Sequence, residues 1–266
     1  MFLDPATIFI NMFTQKGKRE TPPGEPEARL RRGPGRPPGR TAQGAQSREQ
    51  LYKTAIELIA EQGYEATTLR DIARNANVSV GLLYRYFPSK RAVVLALYDR
   101  LSAEHARRAL RMPDGKWRHR FLFALRTSLE VLGPHRSTLA ALVPVLVGDP
   151  GEGLFAPNTA FSRLRVQKAF SEAAVSARDA PRPQVAAALG RLLYLVQLTV
   201  ILWWLLDRSP RQRATEGLIA LIERVLPAVA VALRLRPARA GIVLADALFR
   251  DALLPDIGDE KSHGEP

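Results

Sequence analysis

From Ser47 onward the apolar residues of this chain recur at helical spacing, and no stretch settles into the strict alternation of a half-buried strand. That regularity restricts the chain to helices packed on helices. Leu51, Ala55, Leu58 and Ile59 fall at i, i+4, i+7 and i+8 and make one apolar face. Val93, Val94, Leu97, Tyr98 and Leu101 make another, and Trp117, Phe121, Leu125, Leu129 and Leu132 a third. The expected fold class is all-α, with about nine to ten helices and no internal repeat.

Capping residues punctuate the series. Ser47-Arg48-Glu49-Gln50 reads as a capping box opening a first helix that runs to about Gln62, with Gly63 at its left-handed end. Thr67-Thr68 caps a short second helix, 68–75, broken at Asn75-Ala76-Asn77, where Asn77 tolerates positive φ. Ser79 caps a third, 79–86, ended by Pro88, which disfavours helical geometry at Phe87. Ser89 caps a fourth that runs to about Leu110. Further helices are expected at 117–132, Ser137 to Leu146, 158–176 and 184–206. Ser209 followed by Pro210 opens a last long helix reaching Leu226 or beyond, with Pro227 as a kink point, and 240–255 suits a short amphipathic helix.

Composition excludes several classes. The 266 residues contain no Cys, which rules out a disulfide scaffold, thiolate zinc and iron–sulfur chemistry, and only four scattered His. There is no Gly-rich phosphate loop, HExxH or triad signature, so no cofactor, metal or catalytic residue is expected, and the chain does not read as an enzyme. The start, MFLDPATIFINMF, lacks the order of a secretory signal and reads as a leader, or as sequence upstream of a start at Met12. Leu192–Leu206 is the most apolar run, but it is only 15 residues long and is interrupted by Gln197 and Thr199. A spanning helix needs about 20 apolar residues, so a buried helix and a cytoplasmic protein with no membrane partner are expected. Lys+Arg exceed Asp+Glu by 39 to 26, a weak pointer to polyanions. Residues 14–46, rich in Pro, Gly, Arg and Gln, should not pack a core, and the tail 256–266 should be loose.

The functional signal lies in the second and third helices. Two short helices joined by a tight turn form a helix-turn-helix, whose second helix enters the major groove with its N-terminal residues at the base edges. Small or polar residues are needed there, and Ser79, Val80 and Gly81 fit. An apolar face must hold the helix to its support, and Leu83 and Phe87 fit. Hydroxyls and a Lys must reach phosphates, and Tyr84, Tyr86 and Lys90 fit. Residues 79–91 hold Arg85, Lys90 and Arg91 and no acid, the sign wanted beside a polyanion.

The run Gln62-Gly63-Tyr64, Thr67-Thr68, Asp71-Ile72-Ala73, Val78-Ser79, Leu83-Tyr84-x-Tyr86-Phe87-x-Ser89-Lys90 resembles the DNA-binding domain of TetR-family (TetR/AcrR type) transcriptional regulators over about residues 47–105. The resemblance implies a homodimeric, ligand-responsive DNA-binding protein. A three-helix domain over 47–105, with its helix-turn-helix at 68–87, would precede a larger helical ligand-binding and dimerisation domain over 106–255. A leader and Arg/Pro/Gly-rich arm over 1–46 and a tail from 256 to 266 would flank them. The dimer helices would be those at 184–206 and 211–226. The DNA-contacting positions it implies are Thr68, Ser79, Val80, Gly81, Leu82, Tyr84, Arg85, Tyr86 and Lys90. Three residues depart from the family pattern: Asn77 replaces the usual turn Gly, Leu82 stands where Thr or Ser is frequent, and Arg91 stands where Glu is common. Leu82 can still meet a thymine methyl.

Residues 29–40, RLRRGPGRPPGR, hold five Arg and no acid, and loosely resemble an AT-hook with its core broken. Arg36 and Arg40 are the arm's candidate groove or phosphate contacts. Aromatic and polar residues of the second domain, namely Trp117, Phe121, Phe155, Phe161, Phe170, Tyr194, Gln197, Trp203 and Trp204, are candidates for a largely apolar effector pocket, an aromatic stripe being also what a core requires. The function expected is a repressor released from a palindromic double-stranded DNA operator by a small apolar ligand. An activator, a ligand-independent binder and an architectural protein using the arm are the alternatives.

Overall fold

A computed structural model of the chain describes residues 38–149, 151 and 153–253. Contacts divide the chain into two compact units, Met1–Ala42 and Gln43–Pro266, and the packing below is that of the second. Eleven α-helices and no strand are found among the described residues: α1 (Pro38–Gln62), α2 (Leu69–Asn75), α3 (Val80–Tyr86), α4 (Lys90–Ala109), α5 (Trp117–Leu132), α6 (Arg136–Ala141), α7 (Val143–Gly148), α8 (Ala160–Val175), α9 (Pro183–Leu206), α10 (Arg213–Ala232) and α11 (Arg236–Leu253).

Three boundaries differ from the sequence expectation. The first helix begins at Pro38, not Ser47, so Ser47 is no cap; its hydroxyl donates back to the Gln43 carbonyl at 2.9 Å, the local bond a mid-helix Ser makes. Gln50, the other half of the expected box, donates to the Ala76 carbonyl at 3.0 Å and so ties α1 to the turn after α2. The helix expected from Ser137 to Leu146 is two, because Pro144 lacks an N–H and the ladder restarts at Leu142–Val143. The last expected helix opens later than Ser209-Pro210 implies. Arg211 and Gln212 take positive φ (53° and 57°) in a 3₁₀ turn, and α10 then continues through Pro227 to Ala232.

The turn between α9 and α10 is held by charge. Asp207 accepts from the Ser209 N–H at 2.8 Å, the Thr215 N–H at 2.9 Å and the Thr215 hydroxyl at 2.7 Å. Those donors hold its carboxyl well below the usual carboxylate range. Arg136 donates to the Trp204 carbonyl at 2.9 Å and the Asp207 carbonyl at 2.8 Å, placing a cation on the orphan carbonyls ending α9.

Two apolar cores follow from these elements. The first gathers Leu51 and Ile59 of α1, Ile72 of α2, Leu83 of α3 and Val93 and Leu97 of α4, and continues into Leu139, Leu142 and Trp204. The second gathers Trp117, Phe121 and Leu125 of α5 with Phe170 of α8 and Leu189, Leu193 and Tyr194 of α9. Pro183–Leu206 is long and apolar enough to cross a bilayer by length and composition. In the fold it packs mainly against α8 and α11. Gly190 makes the α8 approach close: a Cβ there would lie 2.7 Å from the Ser171 Cα.

Candidate nucleic-acid interface

The helix-turn-helix forms where its caps place it. Thr68 precedes α2 in extended conformation, and its side-chain oxygen accepts from the Asp71 N–H at 3.1 Å, while Asp71 takes the Thr68 N–H at 3.3 Å. The Thr68 hydroxyl also donates to Asp71, whose carboxyl is held low by those bonds and by Arg74 at 2.9 Å. Here Asp71 closes the reciprocal cap that Glu or Gln more often closes. Thr68 is thus committed within the cap, and any phosphate contact must share that hydroxyl.

After α2 the chain turns at Asn77, whose φ is 53°, and the Val78 N–H donates to the Ala73 carbonyl at 3.0 Å. Ser79 then caps α3 by accepting from the Leu82 N–H at 3.2 Å. Leu83 is wholly buried and Phe87 nearly so, anchoring α3 on α1, α2 and α4. The opposite side of α3 is open. Ser79, Val80, Gly81 and Arg85 are exposed, Tyr84 is 50% exposed, and Leu82 is half-buried beside them. A Cβ at Gly81 would meet nothing within 4 Å. One short helix therefore presents small, polar and cationic groups outward from an apolar mount.

Two further candidate positions are engaged within the protein. Lys90 Nζ donates to the Tyr64 carbonyl and sits 4.0 Å from that ring's centre. Tyr86 is half-buried, its hydroxyl against α1 at Gly44, where an added Cβ would lie 3.0 Å away. Arg36, and the side chain of Arg40 within α1, lie outside the described residues. The sequence reading missed Gln50 as a brace for the turn. No local spacing could reveal it, because its partner is 26 residues away.

A second feature is a cavity of about 380 Å³ lined mainly by α4, α5, α8 and α9, with residues of α6, α7 and the 154–159 segment. Of the candidate pocket residues, Phe155, Tyr194 and Gln197 line it. The other six lie elsewhere. Trp117, Phe121 and Phe170 are buried in the second core, with Phe121 and Phe170 ring centres 6.0 Å apart. Phe161 and Trp203 are exposed, Phe161 lying beneath the Arg165 guanidinium at 4.3 Å. Trp204 is buried in the first core and donates from Nε1 to Gln212 Oε1 at 3.0 Å. Four of these six, Trp117, Phe121, Phe170 and Trp204, serve packing. The polar lining groups His105, Ser128 and Arg163 come from three different helices, so sequence proximity gave no sign of them.

His105 is 3% exposed, and burial disfavours its charged form, which lowers its pKa; the part-buried His135 shifts the same way. Their stabilising effect is complete above the unfolded value near 6.5 and is lost as pH falls from there toward the lower folded values. The unfolding free energy from urea titration should therefore fall between pH 7.5 and 5.5, by at most about 1.4 kcal/mol per pH unit for His105. The fall should be smaller in His105→Gln. An equal fall in both proteins would remove His105 from the account.

Residues 51–97 match the family model TetR_N, bacterial regulatory proteins of the tetR family. The chain is 40% identical over 67 residues to the HTH-type transcriptional repressor KstR of Mycolicibacterium smegmatis, covering 24% of this chain and 33% of that protein. It is 51% identical over 43 residues to the HTH-type transcriptional regulator HbdR of Aromatoleum, covering 16% and 19%. The match thus spans a third or less of either relative. A tetR-family transcriptional regulator from Streptomyces coelicolor shares the fold over 79% of this chain and 97% of its own, with a TM-score of 0.54 and 24% identity.

Proposed function

We propose that this chain, a TetR-family helix-turn-helix regulator by its first domain, acts as a cytoplasmic homodimeric repressor, released from a palindromic operator by a small, largely apolar ligand. The observation that carries the reading is α3, held inward by Leu83 and Phe87 with Ser79, Val80, Gly81, Tyr84 and Arg85 facing out. Such a helix fits a major groove, with base contacts specifying and phosphate contacts positioning. The DNA-binding part would end near residue 105, and the helices beyond it would carry effector binding and dimerisation.

Pairing of two copies has support in exposed apolar ridges. Leu221 and Val225 on α10, and Leu244 and Leu248 on α11, are about half exposed or more. Each pair is spaced i, i+4 and forms a stripe. Because much of α9 is enclosed, α10 and α11 are favoured as the seam over the pair of helices at 184–206 and 211–226.

Selection of genomic fragments by the purified full chain tests the reading. The expected result is one two-fold symmetric motif, bound about 10³–10⁷ more tightly than random DNA. Binding without sequence preference would favour the architectural alternative, and no binding would overturn the proposal. The position of the motif relative to promoters separates repressor from activator.

The Arg-rich arm adds a contact of its own in this reading. Deleting residues 1–37, which leaves α1 whole, should weaken operator binding and flatten its salt dependence, because four of the five Arg of residues 29–40 are removed. An anisotropy titration over several salt concentrations measures both; an unchanged slope would assign the arm no role.

A further inference from the structure

The cavity's polar groups specify the kind of hydrogen bond an occupant must make. His105 Nε2 lies 3.2 Å from the Ala124 carbonyl. A carbonyl only accepts, so Nε2 carries the ring's proton and Nδ1 is left as a lone-pair acceptor. Ser128 donates its single proton to the same carbonyl at 3.1 Å. Toward Gln197, 3.5 Å away, Ser128 can therefore only accept. That fixes the Gln197 amide: its NH₂ faces Ser128, and Oε1 is left as the second acceptor.

Neither His105 Nδ1 nor Gln197 Oε1 has a hydrogen-bond partner in the protein. Both residues are 3% exposed, and both line the cavity. The remaining lining is mostly Leu, Val and Ile, with the hydroxyl residues Tyr98, Ser102, Thr159, Ser162 and Thr199 among them. Arg163, which also lines it, donates from one guanidinium nitrogen to the Leu154 and Ala156 carbonyls, at 2.9 and 3.3 Å. A buried acceptor without a donor is costly.

We infer that the cavity takes a mainly apolar molecule bearing a hydroxyl or N–H donor, rather than a ketone or ether, with His105 Nδ1 and Gln197 Oε1 as the receiving atoms. The inference rests on the cavity being the effector site. A compound with a hydroxyl satisfies an acceptor that its methyl ether leaves unpaired, and a site built for that bond discriminates strongly against the analogue that lacks it.

The matched pair para-octylphenol and para-octylanisole tests this by calorimetric titration of the purified full chain. The phenol should bind at least about tenfold more tightly than the ether. In Gln197→Leu or Gln197→Met, each checked for folding by thermal unfolding, that preference should shrink to about threefold or less while the ether's own affinity holds or rises. Equal affinity of phenol and ether in the parent chain overturns the inference. So does a preference untouched in both variants, or no binding of either compound at millimolar concentration. Operator binding by the unliganded chain, measured separately, tells failure of this inference from failure of the DNA-binding reading.

Discussion

Gly81→Glu is expected to abolish operator binding while leaving the thermal midpoint unchanged or raised. Gly81 is the second residue of α3, and a side chain added there enters open space. Replacing a helical Gly removes part of its conformational penalty, and a carboxylate in the first turn suits the helix dipole. Nothing in the fold therefore opposes the change. Against a duplex the same carboxylate sits among phosphates, at the end of the helix where the backbone must come close. An affinity loss of at least about 100-fold, roughly 2.8 kcal/mol, is expected by anisotropy titration. Gly81→Ala, which adds bulk without charge, should lose less. Parental affinity in Gly81→Glu would mean that the start of α3 does not face DNA.

Gly190→Leu should have the opposite profile, with stability lost first. An added Cβ would lie 2.7 Å from the Ser171 Cα and 3.3 Å from the Phe170 carbonyl oxygen, both main-chain atoms of α8 that cannot rotate aside. The two helices must separate, and Phe170, wholly buried between α5 and α9, moves with them. Overpacking of this kind costs about 1–3 kcal/mol, more than the helix propensity gained. For a chain of this size each kcal/mol lowers Tm by roughly 2–4 °C. A Tm within 1 °C of the parent, by calorimetry, would contradict the close approach of α8 and α9; the threshold is about the smallest shift that roughly 0.5 kcal/mol would give.

The helix-turn-helix was legible in the sequence because every signal in it is local. Thr68, Asn77, Ser79 and Ser89 act on neighbours within four residues, and each stands in the structure where its chemistry asks. The start of α1 was not legible. Gly39, Gly44 and a run of small polar residues carry no apolar stripe, and Ser47 with Gln50 imitates a cap inside a continuing helix. Pro144 and Pro227 show the limit of a single-residue rule: one divides a helix, while the other sits exposed inside α10. The cavity was the least legible feature. Its polar lining is assembled from α4, α5, α8 and α9, and only tertiary packing brings His105, Ser128 and Gln197 around one carbonyl and its neighbour.

Asp246 of α11 is 3% exposed and meets Arg191 of α9 through two bonds of 2.6 and 2.7 Å, with Arg250 3.5 Å away. Removing two charges from water offsets much of their attraction, so the pair does little to glue α11 down. What it supplies is uniqueness. Apolar side chains alone would let one helix slide a turn along another at small penalty, but each slipped alignment would strand a carboxylate in a dry interface. The penalty falls on the wrong arrangements, and the last helix is left with one address.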